Sequence, residues 1–106
     1  SSGNSFVHET ESQVILNGSY NINFTMDLVL KDTGLFDNLA KKLNAPLEIS
    51  PKIVEIFKDG QKKYGSRAWS SMIVKRMEDL NKIDFRADGF PDELVDNEPE
   101  EKGYEI

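Results

Sequence analysis

Lys31 and Asp32 stand side by side at the end of the run Phe24-Thr25-Met26-Asp27-Leu28-Val29-Leu30-Lys31-Asp32. At about 100° per residue, Leu28, Asp32, Leu35, Phe36, Leu39 and Leu43 share one helical face. Asp32 lies near the centre of that face and Lys31 at its edge. Burying even a neutral polar group without a partner costs roughly 2–7 kcal/mol. An aspartate placed there is therefore expected to be buried and to serve something on that face. The pair suits a polar ligand, because an ammonium can approach a carboxamide, hydroxyl or phosphate while the carboxylate accepts a hydrogen bond. The plainer readings stand beside this one. Asp32 would cap a neighbouring helix or pair with a buried cation, and Lys31 would be a solvated lysine. Phe24, just before the helix, serves either as a hydrophobic staple or core residue, or as the wall of a small-molecule pocket.

Little else in the chain offers chemistry. His8 is the only histidine, and Glu9 and Glu11 form no metal set with it. Ser70 and Ser71 have no histidine partner for a hydrolase triad. No glycine-rich phosphate loop is present, so the chain is not expected to bind a dinucleotide by itself. There is no cysteine, which excludes thiolate metal sites and fits a reducing, cytoplasmic compartment.

The elements that must position Lys31 and Asp32 read as an all-α body. A first helix is expected over about Asn4 to Leu16, stopped by Asn17-Gly18, with a short extended piece over Gln13 to Leu16 as the other reading. A second runs from about Thr25, a suitable N-cap, to Leu43, ahead of Asn44-Ala45-Pro46. Gly34 interrupts it at about 1 kcal/mol relative to alanine, which would be repaid by close approach of a helix or a cofactor. A third helix starts at Ser50-Pro51, read as N-cap and N1, and ends at Gly65. The fourth spans about Ala68 or Ser70 to Lys82, with Trp69, Met72, Ile73, Met77 and Leu80 at helical spacing.

The 106 residues suit one small domain and carry a net charge of −6. That charge is uneven: residues 1–83 hold eleven basic and ten acidic side chains, residues 84–106 two and nine. The division predicts a helical body over 1–83 and an acidic extended tail over 84–106, with Phe85, Phe90, Leu94 and Tyr104 as anchors. An acidic tail argues against a nucleic-acid partner, since phosphates need cations. No apolar run approaches the roughly 20 residues that span a membrane. The N-terminus lacks a signal peptide and a starting Met, as expected of a fragment or processed chain.

The run Phe24 to Leu35, with Ala40 and Leu43-Asn44-Ala45-Pro46-Leu47 after it, resembles the C-terminal domain of the β-hydroxyacid dehydrogenases, a 6-phosphogluconate dehydrogenase-like fold. These include 3-hydroxyisobutyrate dehydrogenase and tartronate semialdehyde reductase. The similarity extends back through Ser1 to Phe6 and forward to Trp69-Ser70-Ser71-Met72-Ile73, covering about residues 1–82. In that family a Rossmann domain carries NAD or NADP, and an all-α domain closes over the nicotinamide and builds the dimer. The resemblance implies that Lys31 contacts the cofactor and that Phe24 and Asp32 line the substrate pocket. The substrate would be a small hydroxy acid or semialdehyde.

The departures have consequences. The family's catalytic lysine lies upstream of the residues matched, so no catalytic residue is assigned in this chain and no metal is implied. Arg67 and Ala68 stand where an acidic residue is frequent. The expectation is a C-terminal dehydrogenase fragment, inactive alone, that needs the Rossmann domain of its own polypeptide and forms a homo-oligomer. The competing expectation is a free-standing helical interaction module with an acidic tail.

Overall fold

The computed structural model describes residues 2–92 and Gly103. Four α-helices follow in order: α1 (Phe6–Leu16), α2 (Met26–Lys42), α3 (Ser50–Tyr64) and α4 (Lys75–Asn81), with a 3-10 segment Ser70–Val74 leading into α4. The body is all-α, as the periodicity implies. Its one β feature among the described residues is an isolated antiparallel bridge between Thr25 and Trp69.

Local chemistry explains most of the boundaries. Ser5 caps α1 by accepting the His8 N–H at 3.0 Å, and Gly18 turns the chain at φ 80. Gly65 ends α3 at φ 99, a conformation only glycine adopts without strain. Two expected caps work differently. Thr25 holds the N-cap position of α2, but its side chain does not cap. Its hydroxyl donates to Asp27 Oδ1, which also accepts the Leu28 N–H at 2.9 Å. Ile49, not Ser50, is the N-cap of α3; the Ser50 hydroxyl donates instead to Asp37 on α2. That bond ties the two helices together across their connection.

The expected fourth helix is broken. Residues 70–74 tighten into 3-10 geometry because the backbone at Trp69 is extended and tied to the chain before α2. The Ser70 N–H donates to the Phe24 carbonyl at 2.8 Å. An α-helical turn cannot propagate backwards through a residue held in a β conformation.

The packing centre lies where α2, α3 and the 3-10 segment meet. Met26 is fully buried, and with Val14 and Ala40 it completes the set of buried apolar side chains among the described residues. Gly60 makes this meeting possible. A Cβ there would sit 2.8 Å from Ile73 Cδ1 and 3.0 Å from Met26 Sδ. Gly34, expected to be the close-approach glycine, has nothing within 4 Å of its Cβ position. Around the centre, polar bonds clamp α3 to α4. Asp59 pairs with Arg76 on α4 at 2.7 Å, and with Lys63 on its own helix at 3.2 Å, and the Tyr64 hydroxyl donates to Asp79 at 2.7 Å.

The segment after α4 stays on the body as far as it is described. Phe85 is half-buried and Phe90 somewhat more exposed. The anchors expected at Leu94 and Tyr104 lie outside the described residues.

Candidate functional site: the rim of the second helix

The start of α2 is held by backbone bonds. The Met26 N–H donates to the Ala68 carbonyl at 2.9 Å and the Asp27 N–H to the Ser66 carbonyl at 3.0 Å. Two of the helix's orphan donors are thereby satisfied by the loop after α3. Arg67 on that loop reaches Asp27 Oδ2 at 3.4 Å. The Thr25 hydroxyl, with Arg67 and the Leu28 N–H in support, holds the Asp27 carboxyl below the ordinary aspartate range. Where the resemblance marks an acidic residue as frequent, a cation here pairs with an acid of α2.

One turn further on, Lys31 Nζ lies 3.1 Å from Asp32 Oδ1, with side chains 60% and 57% exposed. This corrects the expectation of a buried Asp32. Its helical face is apolar as read, but the described chain does not cover it. Leu35, Phe36, Leu39 and Leu43 are all more than half exposed. An exposed ion pair of this kind contributes only about 0–1 kcal/mol. The fold therefore does not depend on Lys31 and Asp32, and both are free to meet a ligand.

Lys31 borders a cleft of about 450 Å³ between α2 and α3, lined also by Gly34, Asn38, Lys41, Lys58 and Gln61. Two carboxylates share its walls, but Asp27 is engaged by Thr25 and Arg67, and Asp37 by Ser50. Lys41 and Lys58 remain to face an incoming group, with Lys31 beside them in its exposed pair with Asp32, and Gly34 has room beside it that a side chain would take. This donor set fits an anionic, phosphate-bearing cofactor better than a neutral ligand. Of the three residues singled out from the sequence, Lys31 alone lines this cleft. Phe24 sits before the helix, over a third exposed, and Asp32 is on the adjoining apolar face. Lys58 was invisible to sequence reasoning because only the packing of α3 on α2 brings it opposite Lys31.

A second, apolar groove of about 700 Å³ opens where Phe36 meets Pro46, Leu47, Ile49 and Ile53. It continues the bare stripe of α2. Among the described residues no three metal-binding side chains converge, and no helix is long and apolar enough to cross a membrane.

The fold and the rim together define a helical domain that presents a lysine-lined cleft and an uncovered apolar face. The family model described as "NAD-binding of NADP-dependent 3-hydroxyisobutyrate dehydrogenase" matches residues 1–77. The chain belongs to this family. No curated protein and no solved structure matches it.

Proposed function

We propose that this chain is the C-terminal helical part of an NAD(P)-dependent β-hydroxyacid dehydrogenase of the 3-hydroxyisobutyrate dehydrogenase kind. The observation that carries the reading is the family match over residues 1–77. The exposed, lysine-lined cleft at Lys31 supports it. Lys31 is the cofactor-holding residue, with its ammonium directed to the cofactor's polar edge. Phe24 and Asp32 form one wall of the substrate pocket, Asp32 as a fixed acceptor for a hydroxyl and Phe24 as an apolar side. The nicotinamide, when bound, supplies hydride acceptance or donation for a short hydroxy acid or its semialdehyde. The chain's own residues bind, orient and exclude water, and the proton-transferring lysine belongs to the preceding part of the polypeptide.

The bare stripe Leu35, Phe36, Leu39 and Leu43 is, on this reading, covered by the rest of the polypeptide and by a partner subunit in a dimer. A cysteine-free sequence accords with a cytoplasmic enzyme. The alternative of a free-standing interaction module is less well supported, because an isolated domain seldom keeps so continuous an apolar strip in water.

The test is kinetic. With the chain joined to its dinucleotide-binding domain, Lys31→Ala should raise the cofactor KM or lower kcat and leave the unfolding midpoint unchanged. Unchanged kinetics with a lowered midpoint would make Lys31 structural and remove its role. The 106-residue chain alone should show no turnover with NADH or NADPH, and turnover would overturn the division of labour.

A further inference from the structure

Residues 83–92 are stitched onto the end of α1. Lys82 turns the chain back in the left-handed region at φ 54, and the Ile83 N–H donates to the Glu78 carbonyl at 3.1 Å. The Ala87 N–H then donates to the Leu16 carbonyl at 2.8 Å. Leu16 is the last residue of α1, so the bond satisfies one of the carbonyls that a helix end leaves open. Asn17, nearly fully buried, donates from Nδ2 to the Pro91 carbonyl at 2.8 Å. The Arg86 side chain lies over Gly18, where a Cβ would be 3.3 Å from its Cδ. These contacts form a clasp from α4 to α1, and all of them reach beyond residues 1–77 that the family model matches.

Glu78 sits at the root of the clasp. It is 6% exposed. Its Oε2 accepts the Phe85 N–H in a long bond of 3.4 Å. Its Oε1 is buried with no hydrogen-bond partner among the described residues. The charged and titratable groups around it are Lys75 and Asp79 on α4, Asp84 and Arg86 on the clasp, and Tyr20 in the turn after α1. Lys75 is spent on Asp79 at 2.8 Å, and Arg86 lies over Gly18. A carboxylate in that position has one oxygen shielded from water and without a partner, and it shares its surroundings with Asp84 on the segment it anchors.

We propose that residues 83–92 are a pH-gated clasp, closed over α1 while Glu78 keeps its proton and loosened when Glu78 ionises. The event is the loss of one proton from the Glu78 carboxyl to water. The carboxylate then requires hydration at Oε1, and lifting of the clasp provides it. Burial first, and then the neighbouring acids Asp84 and Asp79, push the Glu78 carboxyl above the ordinary glutamate range. The sign follows from linkage. A carboxyl raised in the folded state favours the closed form at low pH, and the advantage is lost as pH climbs from the ordinary glutamate value through the raised one. Each pH unit of that window changes the closed-to-open ratio by about tenfold.

The experiment follows the Phe85 and Ala87 amide signals and the Glu78 carboxyl carbon of the 106-residue chain by NMR from about pH 4 to 8. The two amides should move together with the carboxyl, at one midpoint above the ordinary glutamate value of about 4.3. Glu78→Gln should fix both amides in the low-pH position throughout. Asp84→Asn, which keeps Glu78, should lower the shared midpoint and guards against a misfolded Gln variant. Amides that stay flat while the carboxyl titrates would overturn the proposal. So would a midpoint that persists in Glu78→Gln, or one that Asp84→Asn leaves unmoved.

Discussion

The two sides of α2 differ in what covers them. The side toward α3 buries Met26 and Ala40 and half-buries Val29, Leu30 and Thr33. The other side carries Leu35, Phe36, Leu39 and Leu43, larger and more apolar as a set, and leaves them in water. The stronger periodic signal thus marks the face that the described chain does not fill. An apolar stripe states that water is excluded by some surface. It does not say that the surface belongs to the same chain.

The comparison can be broken most severely from the covered side. Met26→Ala removes a fully buried side chain where three segments meet and should cost about 2–5 kcal/mol, read as a lowered urea midpoint. Gly60→Leu should follow at about 1–3 kcal/mol, because its side chain would enter the space of Ile73 and Met26. If either leaves the midpoint in place, the packing centre is wrongly assigned.

A smaller effect belongs to the clamp between α3 and α4. Arg76 and then Lys63 hold the Asp59 carboxyl below the ordinary range, and Lys75 and then Tyr64 do the same for Asp79. Lowered carboxyl values add stability above the unfolded-state value, and it is lost as pH falls through the folded one. Acidification below about pH 4 should therefore weaken this clamp, the opposite trend to Glu78. Arg76→Ala should lower the midpoint modestly near pH 7 and flatten the acid limb of the stability curve. Burial, followed by the hydrogen bond to Asp79, pushes the Tyr64 hydroxyl up to about 12, so no phenol titration should appear near neutral pH.

The smallest expected change sharpens the comparison from the bare side. Leu39→Ser should alter the stability of the isolated chain by no more than about 0.5 kcal/mol. On the proposed reading, the same change should reduce association of the dehydrogenase that contains this chain, measured by sedimentation. A large loss in the isolated chain would mean that the stripe is already covered.

What could be read from the sequence follows the range of the forces involved. The span of α2, the end of α3 at Gly65 and the stop after Leu16 rest on neighbours within a few residues, and they stand close to where the pattern puts them. The 3-10 segment was not legible, because its cause is a bridge from Trp69 to Thr25, far away in sequence. Gly60, not Gly34, is the glycine that neighbours approach closely, and helical spacing does not reveal which of the two a neighbouring helix meets. Lys31 and Asp32 stand on adjoining parts of one helix as the spacing puts them, and Lys31 is solvated as its plainer reading has it; the exposure of Asp32 departs from the apolar pattern around it.

The sequence by itself determined an all-α body, an apolar stripe with a Lys-Asp pair on it, and an acid-rich end, because propensity, periodicity and charge are local or additive properties. Only the tertiary structure decided that this stripe lies bare, that Lys58 faces Lys31 across a cleft, and that Glu78 is buried under a returning segment. Those three facts depend on which surfaces meet, and surface matching between distant segments is written in no single stretch of the chain.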